Sequence, residues 1–110
     1  MPRFARTGGM KAVLLAAALI APPTHTVHIK DFAFIPATLT VHAGDRVRFI
    51  NDDDEAHTVT ATNKAFDSGG LDGKQTWSVV IRKAGTYTYF CALHPYMKGT
   101  IVVTDGGAKP

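Results

Sequence analysis

Short alternations of apolar and polar side chains recur from Thr26 onward, and no window sustains the three-to-four-residue spacing of a helix. TVHIK sets Val27 and Ile29 on one face against His28 and Lys30 on the other. ATLTVHAGD continues the alternation through Leu39 and Val41 and turns at 43–45, and RVRFIN points Arg46 and Arg48 outward against Val47 and Phe49. HTVTA, beginning at His57, is a short fourth run. QTWSVVIRKAG carries Trp77, Val79 and Ile81 on one face before a turn at 83–85. TYTYFC puts Tyr87, Tyr89 and Cys91 on one side and Thr88 and Phe90 on the other, and GTIVV closes the series. Successive side chains of a strand face opposite ways, so each run predicts a strand with one buried face. Seven such runs, punctuated by turn residues, predict an all-β fold, a sandwich around one core with no second domain, linker or repeat. The stretch TNKAFDSGGLDGKQ between the fourth and fifth runs reads as a surface loop.

The first residues depart from this pattern. MPRFARTGGMKAVLLAAALIAPP has the basic residues Arg3, Arg6 and Lys11 ahead of an apolar run at 12–21. That run is too short to span a bilayer, which takes roughly 20 residues in helical form. A basic flank and a short run of small apolar residues predict a secretory signal peptide over 1–21, cut between Ala21 and His25, and a domain over 22–110. Export of this kind predicts a periplasmic protein with no membrane span in its mature form. Of the 12 Lys and Arg residues, three lie in the leader, and the remaining nine balance the 9 Asp and Glu. The formal charge of +3 therefore resides in the leader, and the near-neutral domain argues for no nucleic-acid partner.

The chemistry is concentrated in YFCALHPYMKGTIVV, where Cys91, His94 and Met97 are spaced C-x-x-H-x-x-M. A lone cysteine at a strand end is by itself a small buried hydrophobe, and a lone methionine is core filler. Cys91 is the only cysteine, so it cannot form an internal disulfide, and Met97 is the only methionine after the leader. Their common phase with His94, in a turn containing Pro95, points to a metal. Thiolate and thioether are soft donors and imidazole is borderline, a set that selects copper over hard cations. A trigonal copper site takes two histidines and a cysteine with a weak axial methionine, so one histidine must come from elsewhere. His57, directly after the acidic run NDDDEA, is the favoured candidate because its loop can face the strand end carrying Cys91; His42 is the second candidate. His28 and His42 otherwise read as surface histidines, and the acidic residues 52–55 as a solvated turn.

FAFIPATLTVHAGDRVRFINDDDEAHTVTA, followed by GTYTYFCALHPYMKGTIVV, resembles the small cupredoxins, the blue copper proteins that include plastocyanin, pseudoazurin and amicyanin. The resemblance covers about residues 26–104, and the short ligand loop looks most like that of the amicyanins. It implies a Greek-key β-sandwich of about seven to eight strands, one type 1 copper ion, and His57, Cys91, His94 and Met97 as its ligands. In this family the first histidine is commonly followed by an asparagine that ties the ligand loops together; here Thr58 stands in that place.

Zinc fits such a donor set poorly, since structural zinc takes four strong ligands and catalytic zinc keeps a position for water. The sequence has no paired carboxylates, no Ser-His-Asp arrangement and no His-x-His motif, so an enzyme is not expected. A closed site suits a one-electron carrier, with Leu93, Pro95 and Tyr96 around His94 forming an apolar rim for transient docking of a monomer. Resemblance to amicyanin implies a dehydrogenase or a c-type cytochrome as the redox partner. The alternative from the same ligands is periplasmic copper storage or delivery; methionine- or histidine-rich tracts, which would favour it, are absent.

Overall fold

The alternating runs become strands in the computed structural model, which describes residues 21–106. The leader expected at 1–21 lies outside the described residues apart from its last position. In chain order the strands are β1 (Thr24–Lys30), β2 (Ala33–Ile35), β3 (Thr38–His42), β4 (Arg46–Asn51), β5 (Thr60–Ala61), β6 (Thr76–Val80), β7 (Gly85–Phe90) and β8 (Lys98–Thr104). They form two four-stranded sheets, β2-β1-β4-β6 and β3-β8-β7-β5. Both sheets are mixed, because β1 runs parallel to β4 and β3 parallel to β8 while the other pairs are antiparallel. Among the described residues, no helix is long and apolar enough to cross a membrane.

The core lies between the sheets and is built from the inward faces expected of the runs. Val27, Ile29, Val47 and Phe49 come from one sheet, and Val41, Tyr87, Tyr89, Ile101 and Val103 from the other. Tyr89 is its aromatic centre, edge-on to Phe34 at 4.8 Å and to Phe49 at 5.5 Å; such pairs are worth about 0.5–1.5 kcal/mol each beyond area burial. Its ring also covers Gly99, its neighbour across the β7–β8 ladder, where a Cβ atom would lie 2.3 Å from the ring. Only a residue without a side chain lets Tyr89 lie flat there.

Several local expectations are corrected. HTVTA is not a strand throughout: only Thr60–Ala61 pairs with β7, while His57 makes an isolated bridge to Leu71. The stretch 62–75 is more than a surface loop, because it buries Phe66 and Leu71 in the core. Trp77 and Val79 are only partly buried at the outer strand of their sheet. An additional strand, β2, forms a hairpin with β1 through a two-residue turn at Asp31 and Phe32. Both turn residues have positive φ, 53° and 59°, the feature of the type I′ turn that matches strand twist. The usual Asn-Gly is absent, and a phenylalanine in this left-handed region is strained.

Candidate metal centre

Cys91 leaves the end of β7 and the chain folds back on itself at once. The His94 amide donates to the Cys91 carbonyl (3.2 Å), the Met97 amide to the His94 carbonyl (2.9 Å), and the Cys91 amide to the Met97 carbonyl (3.1 Å). Two successive three-residue steps thus repeat the C-x-x-H-x-x-M spacing in the backbone. Cys91 and Met97 are buried, His94 is half-buried, and Leu93 and Tyr96 stand exposed beside it.

His57 reaches this loop from the opposite side. Its ring is fully buried, with Nδ1 3.8 Å from the Cys91 Sγ, and His94 Nδ1 lies 3.7 Å from the same sulfur. One ligand atom from each of His57, Cys91 and His94 falls within 4.8 Å of the others. Separations of this size are what donors about 2.0–2.3 Å from a shared ion would show. The donor set, two imidazoles and a cysteine sulfur on a loop that also carries the buried Met97, fits copper. The other histidines stay apart from the cluster. His42 is exposed and bonds Thr104 Oγ1, His25 bonds Asp45, and His28 bonds Asp52.

The polypeptide around His57 is held from several directions. The buried Asn51 side chain donates to the carbonyls of Glu55 and Leu71 and accepts from the Asp53 amide, which fixes the backbone of the acidic run. His57 exchanges two backbone hydrogen bonds with Leu71. Asp53 accepts from the amides of Asp31 (2.8 Å) and Phe32 (3.0 Å), and its Oδ2 lies 2.9 Å from His57 Nε2. Burial pushes the Asp53 carboxyl up, but the bonds from Phe32, Asp31 and His57 together hold it below the usual carboxylate range. The expectation of a plain solvated turn at 52–55 therefore holds for Asp54 and Glu55, which are exposed, and fails for Asp53. Phe32 sets its ring edge-to-face against both His57 (5.0 Å) and His94 (4.9 Å). Nothing in the sequence singled out Asn51, Asp53, Phe32 or Leu71; the acidic pattern four residues before His57 was the only signal.

Thr58 takes over the tie between the loops. Its hydroxyl accepts from the Ala92 amide at 2.7 Å, and its own amide points at the Cys91 sulfur at 3.3 Å. A donor at the sulfur stabilises thiolate charge, and hydrogen bonding there is one of the means by which such sites set their potential.

The chain matches a family model described as a cupredoxin-like domain over residues 9–103. It is 33% identical to an amicyanin-alpha from Methylorubrum extorquens over 106 residues, covering 91% of this chain and 89% of that protein. With a chloroplastic plastocyanin from Chlamydomonas reinhardtii it shares 30% identity, covering 92% and 81% of the two chains. The solved structure of a reduced amicyanin mutant superposes with a TM-score of 0.70 at 32% identity, covering 79% of this chain and 88% of that one. A fold of two packed mixed sheets, a His-Cys-His cluster at one end and these matches make the chain a member of the cupredoxin family, small blue copper proteins that carry electrons on one type 1 copper ion.

Proposed function

We propose that the chain is a periplasmic one-electron carrier in which His57, Cys91 and His94 would hold copper, with Met97 as a fourth, weaker donor. The observation that carries the reading is the convergence of the His57 and His94 Nδ1 atoms on the Cys91 sulfur at 3.8 and 3.7 Å. Copper bound there supplies exchange between Cu(I) and Cu(II). The surrounding residues keep the donors in place: Thr58 ties the two loops, Phe32 packs on both imidazoles, and Met97 is itself buried. Such a closed arrangement suits electron transfer rather than an enzyme.

His94 is the half-buried member of the set, and Leu93 (55% exposed) and Tyr96 (70% exposed) flank it with Pro95. These side chains form the docking rim for a transient redox partner, a c-type cytochrome or a dehydrogenase, in a small weak interface. Export by the leader delivers the protein to the periplasm. Within the range from Ala21 to His25, a cut ahead of Thr24 is supported by the pairing of β1 with β4 from that residue and by the bond of His25 to Asp45.

Cys91→Ser is expected to abolish the intense visible band of the copper-loaded protein. Stopped-flow oxidation of the reduced protein by a c-type cytochrome tests the carrier role. Fast single-phase exchange with copper retained supports it. Slow exchange accompanied by copper loss would favour storage or delivery instead.

A further inference from the structure

Asp53 joins three donors from two parts of the chain. Its Oδ1 accepts from the Asp31 amide, and its Oδ2 from the Phe32 amide and from the direction of His57 Nε2. An ionised carboxylate only accepts, so the 2.9 Å contact requires His57 to carry its proton on Nε2. A neutral imidazole protonated at Nε2 has a bare Nδ1, and that atom is the one facing the Cys91 sulfur. The aspartate is 12% exposed and the imidazole is fully buried, so water competes little for this bond. The same carboxylate receives two successive amides of the strained Asp31–Phe32 turn, and Phe32 in turn packs on both histidine rings. No other carboxylate among the described residues touches the cluster: Asp52 is engaged with His28 and Asp54 is fully in solvent beside Lys74.

We propose that Asp53 is a positioning residue for the metal centre: it fixes His57 in the Nε2-protonated form, so that Nδ1 is ready to bind, and its negative charge favours Cu(II) over Cu(I). The ligand role of His57 is taken from the proposed function; the proton placement is not. Carboxylates that accept from the distal nitrogen of a ligating histidine raise its basicity, and removing them weakens metal binding by about 10–100-fold. A nearby negative charge stabilises the higher charge of Cu(II) more than that of Cu(I). Asparagine at this position has one acceptor oxygen for three donors, so it removes the charge and leaves at least one donor poorly matched.

The experiment combines two readouts on the full chain. In 15N-labelled protein, copper-free and Cu(I)-loaded, NMR is expected to show the His57 proton on Nε2 and slow to exchange with solvent. A copper-free His57 protonated on Nδ1, or an Nε2 proton exchanging at the rate of a solvent-exposed histidine, would overturn the proposal even if no variant folds. For Asp53→Asn, Cu(II) binding is expected to weaken about tenfold with Cu(I) binding little changed, a ratio equal to a potential about 59 mV higher for one electron. Asp54→Asn removes the same charge from an exposed side chain and is expected to shift the potential less. Equal shifts in the two variants, or none in Asp53→Asn, would contradict the proposal. Loss of the blue band in the wild-type protein itself would instead count against the proposed copper site, while the NMR measurement would still decide the place of the proton.

Discussion

At the scale of single residues, Thr58 and Met97 illustrate how little chemistry separates a fixed site from a loose one. The Thr58 hydroxyl is the acceptor for Ala92, so Thr58→Ala leaves a part-buried amide unpaired between the loops that hold His57 and Cys91. Losing such a partner costs about 1–3 kcal/mol. Thr58→Ala is therefore expected to lower the unfolding free energy, read from urea unfolding, by that amount and to speed copper loss to a chelator, while Thr58→Ser, which keeps the hydroxyl, restores most of both. Equal behaviour of the alanine and serine variants would show that the hydroxyl is not the tie. Met97→Gln replaces a soft sulfur by a harder oxygen or nitrogen donor, which favours Cu(II). That variant should keep copper and its colour and titrate at a lower potential; an unchanged potential would remove Met97 from the ligand set.

At the scale of elements, two contacts outside the metal centre carry testable consequences. Gly99 of β8 lies under the ring of Tyr89, and a Cβ there would sit 2.3 Å from it. Gly99→Ala is expected to destabilise the protein by about 1–3 kcal/mol through overpacking, read from urea unfolding; no loss would mean the β7–β8 ladder can shift. At the far end of the strands, hydrogen bonds from the His25 ring and the His42 amide hold the Asp45 carboxyl below its ordinary value of 3.8. A depressed carboxyl contributes stability above its unfolded value, and that contribution disappears as pH falls through the folded value. Asp45→Asn should therefore be less stable than wild type at neutral pH, and the gap should close below pH 3.8; a constant gap would contradict the link. Much of this architecture was legible beforehand because alternation is a local signal: Val27/Ile29, Val47/Phe49 and Tyr87/Tyr89/Cys91 all face inward as the pattern requires. The β1–β2 hairpin was not legible, since its turn is Asp-Phe rather than a glycine-bearing pair and is held by Asp53 from 21 and 22 residues away. The parallel pairings of β1 with β4 and β3 with β8 were equally hidden, because alternation states a strand's faces and not its neighbours.

At the scale of the whole molecule, the two sheets act as a rigid frame that brings a mid-chain histidine to a C-terminal loop 34 residues further on. The C-x-x-H-x-x-M loop stood out as a candidate by its spacing, and of the two histidines weighed as its partner the fold brings His57, not His42, to Cys91 and His94. Asp53, Asn51 and Phe32 emerge only when the chain folds, because their partners are distant in sequence. The frame also decides what reaches solvent: one edge of His94, ringed by Leu93, Pro95 and Tyr96, while Cys91, His57 and Met97 are closed off. The central claim is that four side chains from two segments hold one copper ion through a thiolate. Titrating Cu(II) into the purified full chain while recording the visible spectrum tests it most directly. The account predicts an intense thiolate-to-copper band that saturates at one equivalent in the wild type and is absent in Cys91→Ser. A wild-type spectrum with only weak copper absorption, or a band that survives Cys91→Ser, would contradict it.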